Sequence, residues 1–407
     1  MNPINIPPKQ DLEIKWRRLQ QAMHAHNLDA CLIGSNVHLY YLTGTIFSGY
    51  FYLSVQEPPL CFTKRAGFLR DDIEHCMIRK PEDIPDVLTQ TGRALPQRLM
   101  LEGDQITYNE YMRLQRIFNT CTSVHVSDSV SNNVSADATA ILRQLRMIKT
   151  PWEIGQLRTS AKIQAEVQAL IPACYRPGIS DIEFQAAIEK IARLQGSLGI
   201  FRGFGNNMEI HMGSVLAGEN AEAPSPYDFA LGGEGIHPAA PIGANGTILH
   251  PGTSVMVDIG GAYTAYISDM TRTYAIGKLP DIACKAHQVS IEIQEYFLQT
   301  ARPGTFCADL YNHSLEMAKK AGLDAYFMGT ASQAKFVGHG LGIEINEPPV
   351  LTSRSKDFLQ ENMTFALEPK FVLPKIGAVG VENTWLVTAG GLEKLTVFPE
   401  ELMELKT

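Results

Sequence analysis

The spacing of hydrophobic residues predicts alternating helices and strands over the first third of the chain. Leu12, Trp16, Leu19 and Met23 recur at helical spacing and predict an amphipathic helix near the start of the sequence. The short apolar run in DACLIGS follows and predicts a buried strand. Because strand-like and helical stretches continue to alternate to about residue 140, we predict an α/β first domain.

A helix start marks the predicted domain boundary. Thr150 is a capping residue, Pro151 takes the first helical position and Glu153 the third, which together predict that a helix begins there. A chain of 407 residues is long enough for two or more domains. We therefore predict domains over residues 1–148 and 149–407.

A short internal repeat lies in the second domain. Residues 176–196 and 302–322 both begin with Arg-Pro-Gly and have a further Gly after seventeen residues. Ser180 and Glu183 form a predicted capping box in the first copy. The repeat predicts two related α/β halves around a pseudo-two-fold axis with a site between them; the alternative is that so short a match is coincidence.

Composition excludes several classes of protein. The seven cysteines are scattered and form no CxxC pair, which indicates reduced thiols in a cytoplasmic protein. The net charge of -8, without a compact Lys/Arg stripe, argues against nucleic-acid binding. Apolar runs stay below the ~18 residues that a membrane span needs, and the first residues lack a signal-peptide core. We therefore expect neither membrane insertion nor export.

Two carboxylates interrupt a predicted buried hairpin in VMVDIGGAYTAYISDMTRTY, residues 255–274. Asp258 and Asp269 are centred on Tyr263 and Thr264, so a tight reversal there predicts that they face each other directly. Like charges at opposed positions destabilise a sheet. Two buried carboxylates so near each other either have shifted pKa values or bind a cation. The alternative is that a register shift leaves one of the two solvated.

A second acidic hairpin and a histidine follow. Glu368 and Glu382 flank a predicted reversal near Pro374 and Lys375, each within an apolar run. His339 lies between two glycines, which let the backbone approach closely. A histidine in such a place is often only a turn residue, but imidazole is also a common metal ligand. Its position between two acidic hairpins favours a shared cation site.

Four carboxylates and one imidazole form a hard, oxygen-rich ligand set. Such a set suits a pair of Mn(II), Co(II), Fe(II) or Zn(II) ions bridged by carboxylates. It does not resemble a structural zinc site, whose ligands are rich in thiolates. Two such ions ~3.5–4 Å apart hold a hydroxide between them and polarise a carbonyl oxygen. The residues therefore predict metal-dependent hydrolysis of an amide bond.

The order of these motifs resembles that of the pita-bread metallopeptidases, which include methionine aminopeptidase, Xaa-Pro aminopeptidase, prolidase and creatinase. The matching segments are LDACLIGSNVHLYYLTG and LRMIKTPWEI, then VDIGGAYTAYISDMTRTY, GHGLG, ALEP and VGVENTWLVT. The first of them resembles a creatinase-type N-terminal domain. The resemblance covers nearly the whole chain, and it implies an α+β pita-bread catalytic domain with pseudo-two-fold symmetry, in a homodimer.

The resemblance also implies a role for each residue of the acidic cluster. Asp258 would bind one ion and Asp269 would bridge the two. His339 would bind the other ion, with Glu368 and Glu382 completing the cluster. Glu368 resembles the general base of the family, which takes a proton from the bridging water.

Two positions depart from the family pattern. A second histidine usually follows the Gly-His-Gly segment, and Asn346 stands there instead. Its amide offers a hydrogen bond to substrate but cannot take up a proton at neutral pH as a histidine can. A further histidine usually precedes the first Asp by about seventeen residues, and His237 lies 21 residues ahead of Asp258. His237 is a candidate catalytic residue or an ordinary loop histidine. In the sequence, His250 lies too close to the hairpin that carries Asp258 to take this role, and His211 lies too far from it.

The leading hypothesis is a dinuclear metal-dependent hydrolase with manganese among the candidate ions. It would be an Xaa-Pro aminopeptidase or dipeptidase that cleaves a peptide or small amide through a hydroxide bridging the ions. A second hypothesis keeps the fold but takes a small non-peptide substrate, as creatinase, ectoine hydrolases and a dimethylsulfoniopropionate lyase do. Creatinase-like chemistry dispenses with metal, so the retained ligands argue against that version. A third hypothesis, a peptide- or histone-binding module without catalysis, also conflicts with the retained ligands.

Overall fold

The computed structural model describes residues 6–67, 70–121, 134–200, 202–205, 211–224, 226–227 and 229–406. The chain divides into two compact units, Met1–Arg146 and Met147–Thr407. This division lies two residues before the predicted boundary.

The first unit is built on one mixed sheet. Its strands are β1 (Ala30–Ile33), β2 (Gly49–Ser54), β3 (Leu60–Thr63), β4 (His75–Met77), β5 (Leu99–Leu101) and β6 (Val134–Asp137). Its helices are α1 (Lys9–Ala25), α2 (Asn36–Thr43), α3 (Ile84–Gln90), α4 (Tyr108–Cys121) and α5 (Ala138–Met147), whose last residue belongs to the second unit. The strand order is β4-β3-β2-β1-β5-β6, with β1 parallel to β5 and antiparallel to β2. The predicted α/β class is confirmed.

Helix α1 buries the hydrophobic face that its sequence predicts. Leu12, Leu19 and Met23 are fully buried and Trp16 nearly so. The Trp16 indole Nε1 donates a hydrogen bond to the Leu42 carbonyl at 2.8 Å, so the one polar atom of this face is satisfied.

The second unit contains two sheets and a separate hairpin. Its helices are α6 (Pro151–Leu170), α7 (Asp181–Leu194), α8 (Asp281–Thr300) and α9 (Cys307–Lys320). One sheet has the order β17-β9-β8-β7, from β7 (Gly213–Ala217), β8 (Ser254–Gly261), β9 (Ser268–Ala275) and β17 (Met403–Glu404). The other has the order β11-β10-β12-β15-β16, from β10 (Phe336–Gly340), β11 (Glu347–Thr352), β12 (Thr364–Leu367), β15 (Asn383–Thr388) and β16 (Gly391–Lys394). The hairpin pairs β13 (Lys370–Leu373) with β14 (Gly377–Gly380).

Both predicted capping boxes are present. The Thr150 side chain accepts from the Glu153 N–H, while the Glu153 carboxylate accepts from the Thr150 N–H at 2.7 Å. Ser180 and Glu183 cap α7 in the same way. Helices α7 and α9 begin at equivalent positions of the two repeat copies. The repeat is therefore a repeated helix, and the pseudo-two-fold axis stays a prediction.

Apolar side chains anchor the strands that carry the acidic residues. Val255 and Val257 on β8 are fully buried, as are Phe365 on β12 and Trp385 on β15. This packing fixes the backbone from which the carboxylates project. Among the described residues, the helices are all too short or too polar to cross a membrane.

Candidate metal centre

Asp258 and Asp269 project from β8 and β9, which pair antiparallel. Gly260 pairs with Asp269, and Asp258 pairs with Thr271, so the two carboxylates are diagonal neighbours. The prediction that they are directly opposed is wrong because the reversal is centred one residue later than predicted. That displacement changes the pairing by two residues, so both carboxylates remain on the same face of the sheet.

Glu368 and Glu382 lie where a long hairpin passes from one sheet to another. Strands β12 and β15 pair with Leu367 opposite Asn383, and β13 and β14 continue in the same register. This register sets Glu368 and Glu382 across from each other at the break between the ladders. Both residues are buried.

His339 is held on β10 by close backbone packing. A Cβ at Gly338 would lie 2.2 Å from the Ala366 carbonyl oxygen, and one at Gly340 would lie 2.1 Å from that of Pro348. The Nδ1 atom of His339 lies 3.2 Å from the Gly340 carbonyl oxygen, which can only accept a hydrogen bond. Nδ1 is therefore the protonated nitrogen of the neutral ring, and Nε2 faces the acidic cluster.

The five predicted metal-binding residues line one cavity of about 90 Å³. Ligand atoms of Asp269, His339 and Glu382 lie within 4.8 Å of one another, as do those of Asp258, Glu368 and Glu382. The fold thus brings the five residues into two overlapping groups that share Glu382.

The ammonium of Lys370 lies inside the second group. Its Nζ is 2.8 Å from Asp258 Oδ2, 2.7 Å from Glu368 Oε2 and 3.2 Å from Glu382 Oε2, and its side chain is fully buried. Lys370 is not among the predicted site residues, although it follows Glu368 by two positions and strand alternation puts such residues on one side. This half of the cluster does not fit the second of two predicted ions.

The other half of the cluster fits a divalent ion. Glu382 Oε2 accepts hydrogen bonds from Lys370 and from the Thr271 hydroxyl. Glu382 Oε1 is buried and has no hydrogen-bond partner within the described part of the chain. Buried polar atoms are normally paired, so an unpaired carboxylate oxygen beside Asp269 and His339 is suited to a cation.

Burial and neighbouring charges shift the pKa values of Asp269, Glu368 and His339. Burial, and then the charge of Asp258, raise the pKa of Asp269 to about 7. Burial opposes ionisation of Glu368, but Lys370 and His339 outweigh it and lower the Glu368 pKa to about 2. Burial opposes the charged form of His339 as well, but Glu368 outweighs it and raises the His339 pKa to about 9. His339 would therefore release a proton when it binds a metal ion.

Asn346 lines the same cavity, but both ends of its amide bond the backbone of Phe204. Its Nδ2 donates to the Phe204 carbonyl at 2.8 Å, and its Oδ1 accepts from the Phe204 N–H at 2.6 Å. The amide holds the segment 202–205 against the cavity wall. A part for Asn346 in substrate binding stays a prediction.

His237 is not among the residues that line the cavity, and a catalytic role for it stays a prediction. The side chain is exposed, its Nδ1 accepts a hydrogen bond from the Ala239 N–H at 3.0 Å, and its backbone pairs with Ala240. The pairing of His237 with Ala240 closes a short turn, which keeps the His237 side chain away from the acidic cavity. His211 and His250 are exposed as well.

A larger cavity of about 360 Å³ adjoins the acidic one. Phe229, Ala230, Leu231 and Phe336 belong to the walls of both. The acidic cavity and the larger one are therefore neighbours that share wall residues within the second unit.

Comparison with known proteins identifies both units. Residues 155–389 match the model of metallopeptidase family M24, and residues 15–148 match that of the Creatinase/Prolidase N-terminal domain. The chain is 24% identical to an Xaa-Pro dipeptidase of Pyrococcus furiosus, over 96% of this chain and 99% of the relative. It is 26% identical to a putative dipeptidase, YkvY, of Bacillus subtilis, over 95% and 97%.

Solved structures share the fold. An Xaa-Pro dipeptidase from Bacillus anthracis superposes with a TM-score of 0.76 at 23% identity, over 97% of this chain and 99% of the other. An X-Pro aminopeptidase from Thermotoga maritima gives 0.75 at 20% identity, over 96% and 99%. The predicted family and two-domain fold class are confirmed: the chain belongs to metallopeptidase family M24 and carries a Creatinase/Prolidase N-terminal domain.

Proposed function

We propose that this protein hydrolyses short Xaa-Pro peptides with a divalent ion bound by Asp269, His339, Glu368 and Glu382. The observation that carries the proposal is that ligand atoms of Asp269, His339 and Glu382 lie within 4.8 Å of one another. Glu368 adjoins them, with its Oε1 3.3 Å from His339 Nε2. Family membership supports peptide hydrolysis, and the Xaa-Pro dipeptidases among the relatives support the substrate class.

A first-row ion such as Mn(II), Co(II), Fe(II) or Zn(II) would polarise the scissile carbonyl and acidify an attacking water. Glu368 is the proposed proton acceptor, since its low pKa keeps it ionised. One of its oxygens lies 3.3 Å from His339 Nε2 and the other 2.7 Å from Lys370 Nζ, so its carboxylate is held in place. It would pass the proton to the leaving nitrogen.

The two adjoining cavities suggest how a peptide would bind. Phe229, Leu231 and Ile242 line the acidic cavity and offer an apolar surface to a proline ring. Thr330 and Gln333 line the larger cavity and offer hydrogen bonds to the rest of a short peptide. We place the scissile bond next to the acidic cluster, where the two cavities share a wall.

One observation supports a second candidate function. The cavity beside the carboxylates is only about 90 Å³, and Lys370 fills part of the cluster. A small non-peptide amide would fit this space without the larger cavity. The two candidates differ in whether activity requires a proline-containing peptide.

A substrate panel on metal-depleted and reloaded protein tests the proposal. The panel contains Ala-Pro, Ala-Ala, Ala-Pro-Ala and a small non-peptide amide, N-acetylglycine, each with chelator or with Mn(II), Co(II), Fe(II) or Zn(II). We expect metal-dependent hydrolysis of the Xaa-Pro peptides. Turnover that survives chelation would contradict the metal role, and turnover of only the non-peptide amide would favour the second candidate.

A matched pair of variants checks the proposed base. Glu368→Gln should lower kcat by roughly 10²–10⁴-fold, the usual contribution of a positioned acid or base. Glu316→Gln removes an exposed carboxylate on α9 and should leave kcat unchanged. Equal activity of the two variants would reject Glu368 as the base.

A homodimer and a cytoplasmic location stay predictions. Light scattering during size-exclusion chromatography tests the first, and fractionation of cells that express the protein tests the second.

A further inference from the structure

We propose that Lys370 permanently takes the place of one of the two cations of a dinuclear centre, so that each chain binds a single divalent ion. That ion would be held by Asp269, His339, Glu368 and Glu382. The inference rests on the metal dependence proposed above and adds its stoichiometry. It reassigns Asp258 from a metal ligand to a partner of lysine.

The first argument is the coordination of the ammonium. A lysine ammonium has three N–H donors, and Nζ of Lys370 meets three oxygens on three different carboxylates at 2.7–3.2 Å. All donors are thereby used, and the side chain is fully buried. The ammonium is bound as a cation in a cage, and a metal ion at those oxygens would have to displace it.

The second argument is the way in which the carboxylates are shared. Glu368 directs Oε2 to Lys370 and has Oε1 3.3 Å from His339 Nε2. Glu382 directs Oε2 to Lys370 and leaves Oε1 buried without a hydrogen-bond partner in the described residues. Both glutamates therefore bridge between the ammonium and the position beside His339, as bridging carboxylates do between two ions.

The third argument is electrostatic. Paired catalytic ions are typically ~3.5–4 Å apart, and the ammonium already lies among three of the four carboxylates. A second divalent ion would meet a positive charge at contact distance in a buried site, where repulsion is weakly screened. Lysine and one divalent ion together neutralise three of the four carboxylate charges.

A fourth observation concerns the backbone around Lys370, which is packed closely against the neighbouring strand. Opposite Lys370 on β14 is Gly380, where an added Cβ would lie 3.0 Å from the Lys370 Cα and 3.4 Å from its Cγ. The Lys370 carbonyl accepts a hydrogen bond from the Met328 N–H at 2.8 Å. The Pro369 carbonyl oxygen would lie closer still to such a Cβ, at 2.6 Å, so the absence of a side chain at Gly380 allows β14 to pack closely against the backbone that carries Lys370.

Metal stoichiometry tests the inference without an activity assay. The full-length protein is depleted with chelator, loaded with excess Mn(II), freed of unbound metal by gel filtration and analysed by mass spectrometry and electron paramagnetic resonance. We expect one Mn(II) per chain with the spectrum of an isolated ion. Two ions per chain with an exchange-coupled spectrum would overturn this inference and leave the proposed function intact. No bound ion would overturn the metal role itself, and this inference with it.

Variants at Lys370 complete the test. Lys370→Ala removes the ammonium and its stem, and we expect it to bind two Mn(II) ions with an exchange-coupled spectrum. Lys335→Ala removes an exposed lysine beside the larger cavity and should keep one ion. A folded Lys370→Ala protein, checked by circular dichroism, that still binds one ion would contradict the inference. If that variant does not fold, anomalous diffraction from wild-type crystals with Mn(II) decides by showing one or two peaks.

Discussion

The two halves of the acidic cluster balance their charge in different ways. On the Lys370 side, three carboxylate oxygens surround an ammonium whose donors are all used. On the His339 side, an imidazole and the carboxylate of Asp269 adjoin an unpaired oxygen of Glu382. Two acidic hairpins thus build one cage in which one side is neutralised by the protein and the other needs an ion. The number of acidic residues in a cage therefore does not fix the number of metal ions.

The largest expected effect comes from the His339 side. His339→Ala removes the only imidazole of the proposed ligand set, so bound Mn(II) should fall below one ion per chain. The kcat should fall by roughly 10²–10³-fold, the scale of losing one electrostatic stabiliser. His250→Ala changes an exposed histidine and should alter neither. Normal metal content in His339→Ala would erase the proposed difference between the two sides.

The Lys370 side should control the stability of the metal-free protein. Lys370→Met keeps most of the side-chain volume but leaves three carboxylates without their cation. We expect metal-free Lys370→Met to lose about 3–5 kcal/mol, the typical cost of breaking a buried ion pair. Denaturant unfolding measures the loss, with Lys335→Met as the exposed control. The double variant Lys370→Met/Asp258→Asn should recover part of it, because the two residues are partners.

The pH dependence of the metal-free protein should separate the two sides further. The His339 pKa is raised from 6.5 to about 9, so its stabilisation is complete below pH 6.5 and is lost as the pH rises through 9. The Asp269 pKa is raised from 3.8 to about 7, so stability also falls as that carboxyl ionises. Thermal unfolding with chelator should show a falling midpoint between pH 6.5 and 9. Mn(II) should reverse the fall, because metal binding needs the deprotonated ligands; a flat profile with chelator would contradict these shifts.

Smaller effects are expected at the two positions that depart from the family pattern. Asn346→Ala removes both hydrogen bonds to Phe204 and should lower stability by about 1–3 kcal/mol, with a higher KM if the segment 202–205 shapes the substrate site. His237→Ala, at an exposed turn, should leave kcat, KM and stability unchanged. A large loss of kcat in His237→Ala would show that the turn moves to the site during catalysis.

Local sequence patterns predict much of this molecule correctly. The stripe of α1 and the two capping boxes depend on neighbours within a few residues, and both appear as predicted. The order of the motifs along nearly the whole chain, from LDACLIGSNVHLYYLTG to VGVENTWLVT, is sufficient to predict the family and the two-domain fold. The diagonal offset of Asp258 and Asp269 was predictable only to within one residue, because a hairpin centre depends on turn geometry that the pattern does not specify.

By itself, the sequence determined which residues could form a metal site: it placed four carboxylates and one imidazole on strands whose apolar neighbours must be buried. Only the tertiary structure decided how these groups share their charge. It put the Lys370 ammonium among three of the carboxylates, turned the Asn346 amide towards Phe204 and kept His237 in its own turn. The physical reason is that local periodicity of the sequence is enough to predict burial and strand pairing. The partner of a buried charge depends instead on where segments over a hundred residues apart meet, as those of Asp258 and Lys370 do.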